Sequence, residues 1–121
     1  MGNKTVLVVD DSRVSRMMIR AFISDAYPDW KIVEAANGDD ALSTDFNTPV
    51  NLMILDYNMP GMNGLTLYEQ LKSNHPNASA SLFTANIQNS IKDKASSLGV
   101  NFIEKPITED KVKSIFQEIG A

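Results

Sequence analysis

Two hydrophobic periods alternate regularly along this chain, and nothing else constrains its fold as strongly. Short apolar runs, TVLVV (5–9), KIVEA (31–35), VNLMILD (50–56) and VNFIE (100–104), together with the poorly hydrophobic ASLFT (80–84), are separated by segments whose apolar residues recur at helical spacing. A short continuous apolar run marks a strand covered on both faces, and recurrence every three or four residues marks a helix with one apolar stripe. Five such pairs imply βαβ units, hence a parallel sheet with right-handed crossovers and helices on both faces. The expected fold is therefore α/β and doubly wound, five strands with five helices, in one domain over residues 1–121.

The helical segments carry their own punctuation. Ser12 offers an N-cap, and Val14, Met17, Met18, Ala21 and Phe22 repeat at helical spacing until Tyr27-Pro28 stops the helix. The Met17-Met18 pair reads as core. Asn37-Gly38 is a turn before a weak helix from about Asp39 to Phe46, which Ser43, Thr44 and Asp45 interrupt. A third helix runs from about Leu65 to Ser73 on Leu67, Tyr68 and Leu71, and His75-Pro76 ends it, with His75 read as a solvated surface residue. The fourth carries Ile87, Ile91, Ala95 and Leu98 on one face and stops at Gly99. Thr108 caps the last, Glu109 and Asp110 suit its positive end, and Val112, Ile115, Phe116 and Ile119 form its buried face.

In open parallel sheets the functional crevice lies at the carboxyl ends of the strands. Asp10-Asp11 ends the first strand, Asp56 the third and Thr84 the fourth, while Lys105 follows the fifth, so these polar groups converge on one rim. Carboxylates brought together repel one another unless a cation intervenes. Magnesium suits such an open acidic rim, because it takes oxygen ligands, keeps several waters and is commonly held by one or two carboxylates plus phosphate oxygens. A lysine and a hydroxyl on the same rim supply positive charge and a hydrogen-bond donor to a phosphoryl group, and a nucleophilic carboxylate makes an aspartyl-phosphate feasible.

Composition narrows the field by exclusion. The chain has 121 residues, 43% of them hydrophobic, which is enough for one core. A formal net charge of −4 provides no basic field for nucleic acid or an anionic membrane. The absence of cysteine removes disulfides, thiolate metal sites and cysteine nucleophiles. No apolar run approaches the roughly 18 to 20 residues of a membrane helix, and the N-terminal MGNKTVLVVDD lacks a signal-peptide pattern. Met1-Gly2 begins like a myristoylation signal, but Val6 stands where that signal needs Ser or Thr. A cytoplasmic protein without a membrane or nucleic-acid partner is expected.

Over nearly its whole length the sequence resembles a receiver domain of the two-component response regulators, close in size and plan to the stand-alone chemotaxis regulator. The matching segments are VLVVDDS, LDYNMPGMNG, FTA, and EKP with Lys105-Pro106. The resemblance implies the strand order 2-1-3-4-5. It implies Asp56 as phosphoacceptor; magnesium held by Asp11 and Asp56 through their side chains, by Asp10 through water and by Asn58 through its backbone carbonyl; and Thr84 and Lys105 as the groups that bind the phosphoryl. It makes Lys105-Pro106 a cis bond and Phe102 the aromatic switch position, a place where a Phe is otherwise more often core. The implied partners are a histidine kinase or phosphotransfer protein as donor and a downstream protein target, with a monomeric receiver between them. The implied mechanism is a shift of the face built by helix four, strand five and helix five.

Asn58 and Asn86, two residues after Asp56 and Thr84, occupy positions that in the family tune phosphoryl lifetime. Arg13, Arg16 and Arg20, three and four residues apart, form a basic face on helix one, ordinarily only solvated but in the family a kinase-docking helix. Two rival functions fit less well. A magnesium phosphatase with an aspartate nucleophile usually carries a second acid where Asn58 stands, and a flavin carrier needs a Ser/Thr/Gly-rich phosphate loop where DDSRVSR is acidic. Met1-Gly2 directly before the first strand favours a complete single-domain regulator over a receiver excised from a longer response regulator or hybrid kinase.

Overall fold

The computed structural model describes residues 4–121; Met1 and Gly2, on which the expectation of a complete chain rests, lie outside the described residues. Five strands, β1 (Thr5–Val9), β2 (Lys31–Ala35), β3 (Leu52–Leu55), β4 (Ser79–Thr84) and β5 (Asn101–Glu104), alternate with helices α1 (Arg13–Ala26), α2 (Gly38–Ser43), α3 (Gly64–Leu71), α4 (Asn89–Ser97) and α5 (Glu109–Glu118). All neighbouring strands pair in parallel, in the order β2-β1-β3-β4-β5. This is the expected doubly wound α/β sheet.

The period-2 geometry of a strand sends alternate side chains to opposite faces, and the two cores follow that alternation. Leu7, Val9, Met53, Leu55 and Leu82 point toward α2, α3 and α4, where Ala41, Leu65, Leu67, Leu71, Ile91 and Ala95 close over them. Val6, Val8, Leu52, Ile54 and Phe83 point the other way, against Ile19 and Ile23 of α1 and Val112, Ile115 and Phe116 of α5. Phe116 is clasped by Tyr27, stacked at 4.4 Å, and by Trp30, edge-on at 4.9 Å. Burying each such Leu, Ile or Phe contributes about 1.5–3 kcal/mol. β4, poorly apolar in sequence, is nevertheless buried from Ala80 onward because it lies inside the sheet between β3 and β5.

Four local expectations are corrected. The face that α1 buries is Ile19 and Ile23, with Phe22 partly covered, while Val14, Met17 and Met18 stand 66%, 57% and 39% exposed and Ala21 is exposed with them. The Met17-Met18 pair is therefore surface, because α1 carries two apolar stripes and only one can face the sheet. Asn37 caps α2 through its side chain, and α2 stops at Ser43, where the Ser43 and Thr44 hydroxyls donate to the Asp40 carbonyl oxygen, so Phe46 lies beyond the helix. Ile87 precedes α4 and is exposed; Ile91 and Ala95 anchor that helix. His75 is 8% exposed, its Nδ1 accepts a hydrogen bond from the Val50 amide at 3.2 Å, and Phe46 packs edge-on against its ring at 5.2 Å. Burial pushes its imidazole below the ordinary histidine value.

Candidate functional site

β1 and β3 are neighbours at the centre of the sheet, in the register Val9 to Leu55, so the residues that follow them, Asp10 and Asp56, emerge side by side. Both are buried, at 2% and 7% exposure, and Asp11 beside them is exposed. One oxygen from each of Asp10, Asp11 and Asp56 lies within 4.8 Å of the others. An all-oxygen set with one open side matches what a hard divalent cation requires, and thiolates or imidazoles are not among its donors.

Lys105, in the segment after β5, reaches into this group. Its Nζ donates to Asp10 Oδ2 at 2.9 Å, lies 3.5 Å from Asp56 Oδ2 and 3.5 Å from Ser15 Oγ. The other oxygen of each buried acid is held by backbone: Asp10 Oδ1 accepts from the Ser12 amide at 2.9 Å and Asp56 Oδ1 from the Tyr57 amide at 2.8 Å. Burial pushes the Asp10 carboxyl above its ordinary value and the Asp56 charge adds to this, against the Ser12 amide and Lys105, which favour the charged form. For Lys105 burial pulls the ammonium down, but its hydrogen bond to Asp10 and the charges of Asp10 and Asp56 outweigh it and hold it above the ordinary lysine value. The Lys105-Pro106 bond is cis.

The other candidate residues sit further out. Thr84 ends β4, buried, and its Oγ1 accepts from the Asn86 amide at 3.2 Å. Asn58 is exposed on the β3–α3 loop, where its Oδ1 accepts from Asn86 Nδ2 at 3.3 Å, so the two loops that flank the rim are tied together. Phe102 lies in edge strand β5 beside Leu82, half-buried against the α3–α4 core, with Lys92 Nζ 5.5 Å from its ring centroid. Arg16 and Arg20 do not form a free basic face with Arg13, because both turn to Glu34 on β2. Two contributors escaped the sequence reading. Ser15 faces Lys105, and Gly64, the first residue of α3, brings its backbone so close to Asp56 that a Cβ there would sit 2.1 Å from the Asp56 carbonyl oxygen. The only signal for Gly64 was a second glycine in the turn NMPGMNG.

A family model described as the response regulator receiver domain matches residues 6–117. The chain belongs to this family. Phosphorylation-dependent signalling and magnesium binding at an acidic pocket are general among such receivers. The chain is 31% identical over 121 residues to a probable chemotaxis protein CheY of Rhizobium etli, with 94% of this chain and 90% of that protein covered. It is 33% identical over 112 residues to the cyclic di-GMP phosphodiesterase response regulator RpfG of Xanthomonas campestris, covering 90% of this chain and 30% of that protein. This receiver thus spans about a third of the length of one curated relative and nearly all of another. A CheY-like receiver of Methanospirillum hungatei superposes with a TM-score of 0.87 at 20% identity, covering 98% of this chain and 94% of that one, which shows the fold. Among the described residues no helix is long and apolar enough to cross a membrane.

Proposed function

We propose that this receiver is a phosphorylation-dependent signalling switch whose phosphoacceptor is Asp56. The observation that carries the reading is the meeting of Asp10, Asp11 and Asp56 within 4.8 Å, with the Lys105 ammonium at 2.9 and 3.5 Å from two of them. A carboxylate oxygen of Asp56 attacks the phosphorus of a phosphohistidine on a kinase or phosphotransfer protein. The P–O bond forms as the P–N bond breaks, and the departing imidazole keeps the electron pair. Asp11 and Asp56 would hold magnesium through their side chains, Asp10 through water and Asn58 through its backbone carbonyl. When bound, the ion supplies positive charge to the acceptor and phosphoryl oxygens. A response regulator of Thermotoga maritima, TrrA, described in complex with Mg(2+)-BeF, supports the metal: it is 26% identical, has a TM-score of 0.76, and the alignment covers 96% of this chain and 98% of that one.

Lys105 neutralises the new phosphoryl charge, and Thr84, whose Oγ1 already accepts from Asn86, still has its hydroxyl hydrogen to donate. Both are drawn inward, Phe102 follows into the space near Thr84, and the α4-β5-α5 face changes shape. A downstream protein that prefers that shape binds more tightly, and by reciprocity favours phosphorylation. The receiver acts on no external substrate; it promotes its own phosphorylation and dephosphorylation, as a monomer in the cytoplasm. A second reading, a receiver module within a longer response regulator, is favoured by the small share of RpfG that the chain spans.

Intact mass after incubation with acetyl phosphate tests the reading. A gain of one phosphoryl group that needs magnesium and disappears in Asp56→Asn is expected; uptake by Asp56→Asn equal to wild type overturns the acceptor. Lys105→Ala retains some uptake but loses the response at Phe102, followed by ring resonances, and an unchanged response removes that role.

A further inference from the structure

Two arginines of α1, the largely covered Arg16 and the exposed Arg20, meet one carboxylate, and Arg16 continues to the acidic rim. The β1–β2 register pairs Glu34 with Val8, so both point to the sheet face that α1 covers. Arg16 Nε donates to Glu34 Oε1 at 3.2 Å, and Arg20 Nε donates to Oε2. Arg16 uses the rest of its fork on the rim itself, where Nη1 donates to the main-chain carbonyl oxygen of Asp10. At this point the β1 ladder is running out. The Asp10 amide still reaches the Ala35 carbonyl at 3.2 Å, and the Val9 carbonyl accepts the Asp56 amide at 2.9 Å, but the carbonyl of buried Asp10 takes its hydrogen bond from Arg16.

We infer that Arg16, anchored by Glu34, is a positioning residue for the acidic rim, holding the β1–α1 turn from behind so that Asp10 and Asp11 present their carboxylates together. The inference rests on the reading of that rim as a magnesium site. A guanidinium suits the task because its planar fork holds two acceptors at a fixed angle, which an ammonium does not. Outer groups of this kind orient the ligands of a metal and set its affinity. Charge alone predicts the opposite sign: a cation close behind three carboxylates disfavours a second cation, so its deletion strengthens magnesium binding if charge is all it contributes.

The test is calorimetric titration of magnesium chloride into the whole chain, as wild type, Arg16→Met, Arg16→Lys and Arg13→Met. Arg13 is exposed one turn earlier on the same helix and measures the effect of charge. Both Arg16 variants bind magnesium about tenfold more weakly, the low end for loss of an outer-shell partner, and Arg13→Met binds as tightly as wild type or more tightly. Lysine keeps the charge, so its loss of affinity isolates the fork. Wild-type or tighter binding by the Arg16 variants, with thermal transitions well above the titration temperature, overturns the inference; Arg16→Lys decides alone if Arg16→Met does not fold. Wild type that takes up no magnesium, or takes it up unchanged when Asp11 and Asp56 are both replaced by Asn, removes the metal reading and the inference with it.

Discussion

Every oxygen of the Asp10 carboxylate has a partner, one the Ser12 amide and one Lys105, and the Asp56 oxygens are divided in the same way between the Tyr57 amide and Lys105. A buried charge is tolerated only when so paired, and here one ammonium serves two acids. His75 shows the converse, a buried base that the fold keeps neutral because its Nδ1 must accept from Val50. Its pKa is lowered by burial, so the unfolded chain binds a proton that the folded chain refuses. The stability this contributes is fully present above the unfolded value of about 6.5 and declines as pH falls below it. Urea unfolding of wild type between pH 7.5 and 5.5 is expected to show stability falling with pH, and His75→Gln to show a flatter dependence; equal slopes refute the assignment.

Helices in this molecule are located by how closely they approach the sheet. Gly64 allows α3 to begin against the Asp56 carbonyl, where a Cβ would come within 2.1 Å, whereas Gly61, at φ +81°, has nothing within 4 Å of its Cβ position. Gly64→Ala therefore has to displace α3 or the end of β3, at a cost of about 2 kcal/mol or more, and shift the amide resonances of Asp56 and Tyr57. Gly61→Ala costs about 1 kcal/mol of backbone strain and leaves those resonances in place. The same contrast runs across α1. Ile23→Ala opens a cavity and costs about 2–5 kcal/mol, while Met17→Ala, on the exposed stripe, stays within about 0.5 kcal/mol. Denaturant midpoints of the four variants check both comparisons.

At the scale of the whole sheet, the order β2-β1-β3 places two acid-bearing strand ends side by side at the point where the connections change direction, the usual location of a crevice in such folds. Folding therefore has to bring like charges together, and Lys105 returns from the far edge, beyond β5, to offset them. A cation that binds only this assembled rim stabilises the fold by mass action. At a hundred times its dissociation constant, magnesium is expected to raise unfolding stability by about 2.7 kcal/mol, with EDTA reversing the gain and the Asp11→Asn, Asp56→Asn double variant showing none. Urea unfolding with and without magnesium chloride measures it.

Much of this arrangement was legible in local pattern. Strand period, caps at Ser12 and Thr108, the stop at Gly99 and the acids at strand ends are properties of neighbouring residues, and they were enough to place Asp10, Asp11, Asp56 and Lys105 on one rim. Helical periodicity could not choose between the two stripes of α1, because a spacing of 3.6 residues is the same for Val14, Met17 and Met18 as for Ile19 and Ile23; only contact with the sheet and α5 selects the latter. His75 looked solvated because its partners, Val50 and Phe46, are more than twenty residues away in the chain. Gly64 looked like one more turn residue because its constraint is a backbone on another element, and Arg16 like part of a solvated face because Glu34 becomes its neighbour only when β2 lies beside β1. Patterns within an element follow from the chain; partners between elements follow from packing, since only packing decides which faces are withdrawn from water and which charges must then find each other.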